Sequence, residues 1–241
     1  MTEVKRLRVL AGGPVHWCKA YSIRPWVKSL RGMAAHPPTR ELFDVDFYAS
    51  DNSSDDAFAD MLRRGYKDLR VEHVDDPQDP RLPIYARIAA SENQQRDAFL
   101  SGGYDLMLSV ECDVLPQPDA LMQLWEHLTA NELDCTQGYY YEGFTAAAWA
   151  KHPFWLMGLS LLRRPVLEAI PFRFELQRPN GAPDAFFGHD LKARGFRYGF
   201  APGAAGVHLR RIQGGVQGSG WDLISDDLAR HLRHSREVLG E

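Results

Sequence analysis

Short apolar runs and longer amphipathic stretches alternate along this chain. Leu7 to Ala11 is an apolar run of strand length, and Gly12-Gly13-Pro14 reads as the turn that breaks it. From Ser22 to Ala34 apolar residues recur at helical spacing, with Trp26, Val27, Leu30 and Met33 on one side and Pro25 in the first turn. Phe43, Val45 and Phe47 alternate with Asp44, Asp46 and Tyr48, the period of a half-buried strand. The polar cluster from Ser50 to Asp56 ends that strand and starts a helix carrying Phe58, Met61 and Leu62, closed by Gly65. Leu69 to Val74 is a third strand and Asp75 to Pro83 a Pro/Asp-rich loop. Ile84 to Leu100 follows as a long helix, with Ile84, Ile88, Ala89 and Phe99 inward and Gly102-Gly103 as its stop. Tyr104 to Val110 is a buried strand that runs into Glu111 and Asp113. Pro116 and Pro118 then open a helix from Asp119 to Ala130, with Leu121, Leu124, Trp125 and Leu128 inward.

Strand and helix in strict alternation predict an α/β fold, with a mostly parallel central sheet and helices on both faces. The second half is less regular. A strand is expected from Asp134 to Tyr141, another from Trp155 to Leu162, and a short helix from Pro165 to Ile170. A helix from Asp184 to Arg194 is closed by Gly195. Short strands from Phe196 to Ala201 and from Ala205 to Leu209 flank the turn Pro202-Gly203. Gln213 to Gly220 is glycine-rich and expected to be mobile, and Asp222 to Val238 reads as a polar helix. The chain divides into a domain over 1–210, with halves 1–116 and 117–210, and a segment over 211–241 holding the glycine-rich loop and the last helix.

The length of 241 residues suffices for one α/β domain with a substantial core. A net charge of −4 gives no general reason to expect nucleic acid or a membrane surface as partner. The charge is uneven, however. Residues 1–150 carry 15 Lys and Arg against 23 Asp and Glu, whereas 151–241 carry 13 against 9, which leaves the second half basic enough to meet an anionic ligand. Cys18, Cys112 and Cys135 are odd in number and far apart, the pattern of reduced thiols and not of a disulfide framework or zinc cluster. With no secretory leader read in Met1 to Arg8 and no apolar run long enough to span a bilayer, a cytoplasmic protein without a membrane span is expected.

The candidate chemistry centres on Glu111-Cys112-Asp113. Open α/β sheets bind ligands at the carboxyl ends of central strands. Two hard carboxylates there suit a divalent cation that completes its shell with water and phosphate. Acid-x-acid by itself is also met as a plain solvated turn. Its neighbours make it more specific. The run Arg87-x5-Asn93-x2-Arg96, then Gly103-Tyr104-Asp105, an apolar strand, Glu111-x-Asp113 and Pro116 resembles the inverting nucleotide-sugar glycosyltransferases of GT-A fold, and within them the "family 2" type. Ser50-Asp51-Asn52-Ser53 resembles their Asp-Asn-Ser turn, and Trp155 to Phe172 their Gly-x5-Arg-Arg segment. Pro183-Asp184 with Gly195 and Phe196 resembles their Glu-Asp helix, and Pro202 and His208 fall where that family has Pro and His. The likeness covers roughly residues 5–210.

That resemblance implies transfer of a sugar from a nucleotide-diphosphate donor to an acceptor hydroxyl, with inversion, a Mn2+ or Mg2+ ion on the diphosphate and an Asp base. It implies that 1–116 is the nucleotide-binding half and 117–210 the acceptor half. Gly12, Gly13 and Pro14 would lie along the nucleotide, Asp51 on the base or ribose, and Arg87 near the nucleobase end. Asp113 would hold the metal, with Glu111 on the ribose or the metal and His208 as a further ligand. Asp184 would be the catalytic base, with Asp190 competing for that role. The aromatics of 139–155 are expected mainly as core, with Trp149 or Trp155 offering an aromatic face to an acceptor sugar, and Arg210 or Arg211 would reach the diphosphate from a closing lid.

Two substitutions depart from the family pattern: Glu111 replaces the usual Asp, and Pro183 replaces the usual Glu. They leave room for a catalytically weak or inert domain that binds sugar or nucleotide. The basic second half permits a DNA-base acceptor of the kind some phage enzymes use, which the overall charge does not favour. A sugar-phosphate nucleotidyltransferase would need a Gly-rich loop with Lys or Arg near the first strand, which Gly12 to His16 lacks.

Overall fold

The computed structural model describes residues 5–74, 84–140, 155–175, 182–212 and 215–219, and from residue 210 onward its backbone only. The 75–83 loop, Trp149 with its aromatic neighbours from Tyr141 to Phe154, the side chains of Arg210 and Arg211, and the helix expected from Asp222 to Val238 lie outside the described residues.

The first half follows the predicted alternation with one short helix added: β1 (Leu7–Val15), α1 (Ala20–Ala35), the added α2 (Pro37–Leu42), β2 (Phe43–Asp51), α3 (Ala57–Gly65), β3 (Leu69–His73), α4 (Ile84–Ser101) and β4 (Leu106–Val110). Then come β5 (Val114–Pro116), α5 (Ala120–Ala130), β6 (Cys135–Tyr139), β7 (Leu159–Arg163), α6 (Arg164–Ala169), α7 (Pro183–Ala193), β8 (Tyr198–Ile212) and β9 (Gly215–Ser219). The strands form one curled sheet in the order β3-β2-β1-β4-β7-β6-β8-β5, with β9 on β8. Strands β3, β2, β1 and β4 are mutually parallel, as is the pair β6–β8. Antiparallel β7 joins the two groups, and β5 and β9 flank β8 antiparallel.

Side chains alternate across the sheet and so feed two cores. Val9 and Ala11 of β1 and Leu106, Leu108 and Val110 of β4 pack with α1, α3 and α5. Leu10 and Met107, offset by one residue, pack with α4, α6 and α7. The α/β class with helices on both faces is therefore the observed one.

Four local expectations change. Gly12-Gly13-Pro14 does not break β1, which runs through it. A Cβ at Gly12, whose φ is +153°, would collide with the Tyr48 carbonyl oxygen, and one at Gly13 would lie 2.6 Å from the Val110 carbonyl oxygen. These glycines let β1 seat between β2 and β4. Pro202-Gly203 likewise does not separate two strands, because β8 continues through it to Ile212. Residues 215–219 of the glycine-rich segment pair with β8 as β9, so the boundary expected at residue 210 falls inside a hairpin. Ile84, expected inward, is 60% exposed at the start of α4. Among the described residues, no helix is long and apolar enough to cross a membrane.

Candidate active site

Strand β4 ends at Val110, and the next four residues turn back on themselves: the Val114 N–H donates to the Glu111 carbonyl at 2.9 Å. The Glu111 N–H donates to the Gly158 carbonyl at 3.1 Å, which fastens the turn to the approach of β7. Strand β5 then pairs antiparallel with β8, in a register that sets Val114 opposite His208. The Leu209 N–H donates to the Asp113 carbonyl at 2.7 Å. This pairing brings His208 Nε2 to 3.4 Å from Asp113 Oδ2. One ligand atom each from Glu111, Asp113 and His208 lies within 4.8 Å of the other two.

Lys19, from the 3-10 turn Trp17–Lys19, places Nζ 2.7 Å from Asp113 Oδ2. Burial opposes the Lys19 charge, but the surrounding Cys112, Asp113 and Glu111 outweigh it and hold the ammonium above its usual range. Burial would raise Asp113 as well. The hydrogen bond with His208 and the Lys19 ammonium overcome that and hold its carboxyl below the usual range. Glu111 goes the other way: burial first, then the Asp113 charge, push it up to about 7, with Lys19 offsetting part of the rise.

This donor set fits a hard divalent cation. Asp113 is 3% exposed and its Oδ1 is buried with no hydrogen-bond partner, an orphan acceptor that a cation would satisfy. Two carboxylates and one imidazole suit Mn2+ or Mg2+ better than a soft metal.

Beside this cluster lies a cavity of about 180 Å3. Pro14, Val15 and His16 at the end of β1 form one wall, and Ile84, Arg87, Ile88 and Glu92 of α4 another. Asn52 closes one part of it, and Lys19, Glu111 and Cys112 contribute as well. Arg87 and Pro14 thus both line this cavity. Gly12 and Gly13 are taken up by the sheet. Asp51 faces inward: its Oδ1 accepts from the Ser53 N–H at 3.0 Å and the Ser53 hydroxyl at 2.6 Å, and its Oδ2 lies 3.0 Å from His73 Nδ1. Its neighbour Asn52 lines the cavity instead, with a buried Oδ1 that has no partner.

Asp184 sits in the first turn of α7, where its Oδ1 accepts the Ala185 N–H at 3.1 Å. Burial nonetheless raises its carboxyl above the usual range, the backbone hydrogen bonds offsetting part of the rise. Its charge also raises Glu111, Glu92 and Tyr140.

Asp190 is engaged elsewhere. Arg173 forks onto it, with Nε 2.8 Å from Oδ2 and Nη2 3.0 Å from Oδ1, and this bond holds its carboxyl below the usual range. Asp190→Asn is therefore expected to cost about 1 kcal/mol of stability, discounted for partial exposure, and to leave turnover within about threefold. A lowered carboxyl contributes stability above its unfolded value and loses it as pH falls through the folded value. The difference between wild type and variant should accordingly fade in acid, which denaturation at pH 7 and pH 3 would measure.

Trp155 is core and not an acceptor platform: it is 2% exposed, its indole N–H donates to Met157 Sδ at 2.9 Å, and it packs on Phe187 and Tyr198. Asn93 and Arg96 are staples. Asn93 exchanges two hydrogen bonds with the Phe172 backbone, and Arg96 Nε donates to the Leu167 carbonyl at 2.5 Å.

Sequence reasoning passed over Lys19, Asn52 and Glu92. Glu92 carried a usable signal, because it lies four residues after Ile88 and seven before Phe99, on the stripe read as inward. It is 5% exposed, and its Oε2 has no partner.

No protein-family model matches this sequence, and no curated protein matches it. Solved structures of TarS from S. aureus, a GT-A-type glycosyltransferase, do. The crystal structure of TarS 1–349 is 17% identical, with a TM-score of 0.54 over 84% of this chain and 59% of that one. That of TarS is 16% identical, with a TM-score of 0.55 over 84% and 36%. TarS 1–349 in complex with UDP is 14% identical, with a TM-score of 0.56 over 84% and 59%. The chain thus spans at most 59% of these structures, and it has the GT-A glycosyltransferase fold.

Proposed function

We propose that this chain is a metal-dependent glycosyltransferase that moves a sugar from a nucleotide-diphosphate donor to an acceptor hydroxyl with inversion. The observation that carries the reading is the cation cradle of Glu111, Asp113 and His208 at the edge of a cavity that also presents Lys19 and Arg87. Expelling a nucleoside diphosphate requires positive charge at the leaving oxygens. Lys19 and Arg87 supply two such charges from the chain itself. A divalent cation held by the three ligands would neutralise the rest of the diphosphate charge.

The attacking hydroxyl must lose its proton. Asp184 receives it, because burial has raised its proton affinity and, among the described residues, no cation pairs with it. In-line attack on the face opposite the diphosphate gives inversion in a single displacement. The UDP complex of TarS supports a uridine nucleotide as the first donor to try.

The reading is tested by thermal shift with UDP, GDP, ADP and dTDP, each with and without Mn2+. One nucleotide is expected to raise the melting temperature, and more so with Mn2+. No response to any of the four overturns the reading.

Metal affinity should also depend on pH. A ligand must be deprotonated, and Glu111 carries its proton up to about pH 7. Mn2+ affinity is therefore expected to climb from pH 6 to 8, approaching about tenfold per unit below 7, and to level off above. Titration of free Mn2+ by electron spin resonance reads this directly. A flat profile in wild type, or an unchanged profile in Glu111→Gln, would remove Glu111 from the ligand set.

A further inference from the structure

Glu92 is a carboxylate built into the inward stripe of α4. At 5% exposed, with Oε2 unpartnered among the described residues, it forms part of the cavity wall near Arg87 and Glu111. An unsatisfied buried carboxylate is costly to a fold. A glutamine or an aliphatic residue would serve α4 better, so the acid points to a ligand.

The surroundings limit what that ligand group is. After burial, the charges that act most on Glu92 are those of Asp184 and Glu111, both acidic, and together they hold its carboxyl well above the usual range. A phosphate would be repelled here, and Lys19 and Arg87 offer it a better place. What remains is a group that donates hydrogen bonds and carries no negative charge. The neighbourhood of Asp184, the proposed base, is also where the reacting carbon of the donor sugar must lie, since the base reaches the hydroxyl that attacks it.

We propose that Glu92 accepts a hydrogen bond from a hydroxyl or amide N–H of the transferred sugar, and that the site selects nucleotide donors of neutral hexoses or N-acetylhexosamines and rejects uronates. This inference rests on the glycosyltransferase reading above. A uronate would bring a fourth acid beside Glu92, Glu111 and Asp184, where the burial and acidic neighbours that raise the Glu92 carboxyl also disfavour a further anion.

Calorimetry with UDP, UDP-glucose and UDP-glucuronate in Mn2+, on wild type and Glu92→Gln, tests it. In wild type UDP-glucose is expected to bind about tenfold tighter than UDP-glucuronate, since both like-charge repulsion and a lost hydrogen bond act against the uronate. Glu92→Gln should weaken UDP-glucose about three- to tenfold, leave UDP within about twofold, and narrow the preference over glucuronate at least about fivefold. Its melting temperature without ligand should rise, which shows that the variant folds and that the acid is held against stability.

UDP binding with no preference between the two sugars in wild type overturns the assignment of Glu92 and leaves the donor reading standing. So does an equal loss of UDP and UDP-glucose in the variant, which would place Glu92 on the nucleotide. Failure of UDP and of the other nucleoside diphosphates to bind overturns the donor reading and this inference with it.

Discussion

Asp113→Asn is expected to abolish the Mn2+-dependent part of nucleotide binding and to lower turnover by about a thousandfold or more, because charge stabilisation at a leaving group is the largest single contribution such a site makes. The substitution keeps the shape of the side chain. It removes the negative charge that Lys19 meets at 2.7 Å and that faces His208 at 3.4 Å. The orphan Oδ1 becomes a neutral amide atom and no longer attracts a cation. Stability should fall too, though less than for a fully buried pair: the Lys19 side chain is 37% exposed and can turn to water. A cost of about 1–2 kcal/mol is expected on that basis, a shift of a few degrees for a chain of this size. Thermal shift with UDP, with and without Mn2+, separates the two effects. A Mn2+-dependent shift that survives in Asp113→Asn would place the cation elsewhere.

Asp184→Asn is expected to act on chemistry alone. Turnover should drop by about 10²- to 10⁴-fold, the usual worth of a general base. Nucleotide and Mn2+ affinity should stay within about twofold, since the residue is outside the cation cradle and is not among the residues lining the cavity beside it. The unliganded variant should also be more stable near neutral pH. A carboxyl whose folded value is raised costs stability as pH climbs from its unfolded value through its folded one. The amide removes that penalty. A variant that gains stability and loses turnover marks a half-buried acid kept for function. Turnover within threefold of wild type would remove Asp184 as the base. The contrast with Asp190→Asn, predicted to lose stability and keep turnover, makes the pair a direct comparison of two acids on one helix.

The alternation of Val9, Leu10 and Ala11, and the helical spacing of Trp26, Leu30 and Met33, fixed the elements of the first half, because burial on one face sets a period that the sequence displays. The same logic placed Glu111 and Asp113 at a strand end. Turn residues were the weaker guide. Gly12-Gly13 and Pro202-Gly203 looked like breaks, yet the first allows close strand packing and the second is carried within β8 by pairing on both sides.

The site itself was only half legible. Asp51 and Asn52 are adjacent, and nothing local says which of them faces the cavity; Ser53 and His73 decide it by claiming both Asp51 oxygens. Asp184 and Asp190 share a helix, and Arg173 settles which one is tied up. Lys19 and His208 meet Asp113 from far upstream and far downstream, one on the turn after β1 and the other through the β5–β8 register.

The sequence alone determined an α/β chain with an acidic pair at the end of its central strand, since periodicity and strand ends are local properties of the chain. Only the tertiary structure decided which acid is held ionised, which is pushed toward neutrality, and that the Oε2 of Glu92 stands without a partner among the described residues in the cavity wall. Those outcomes depend on burial and on charges brought close by packing, and neither is written in any short stretch of sequence.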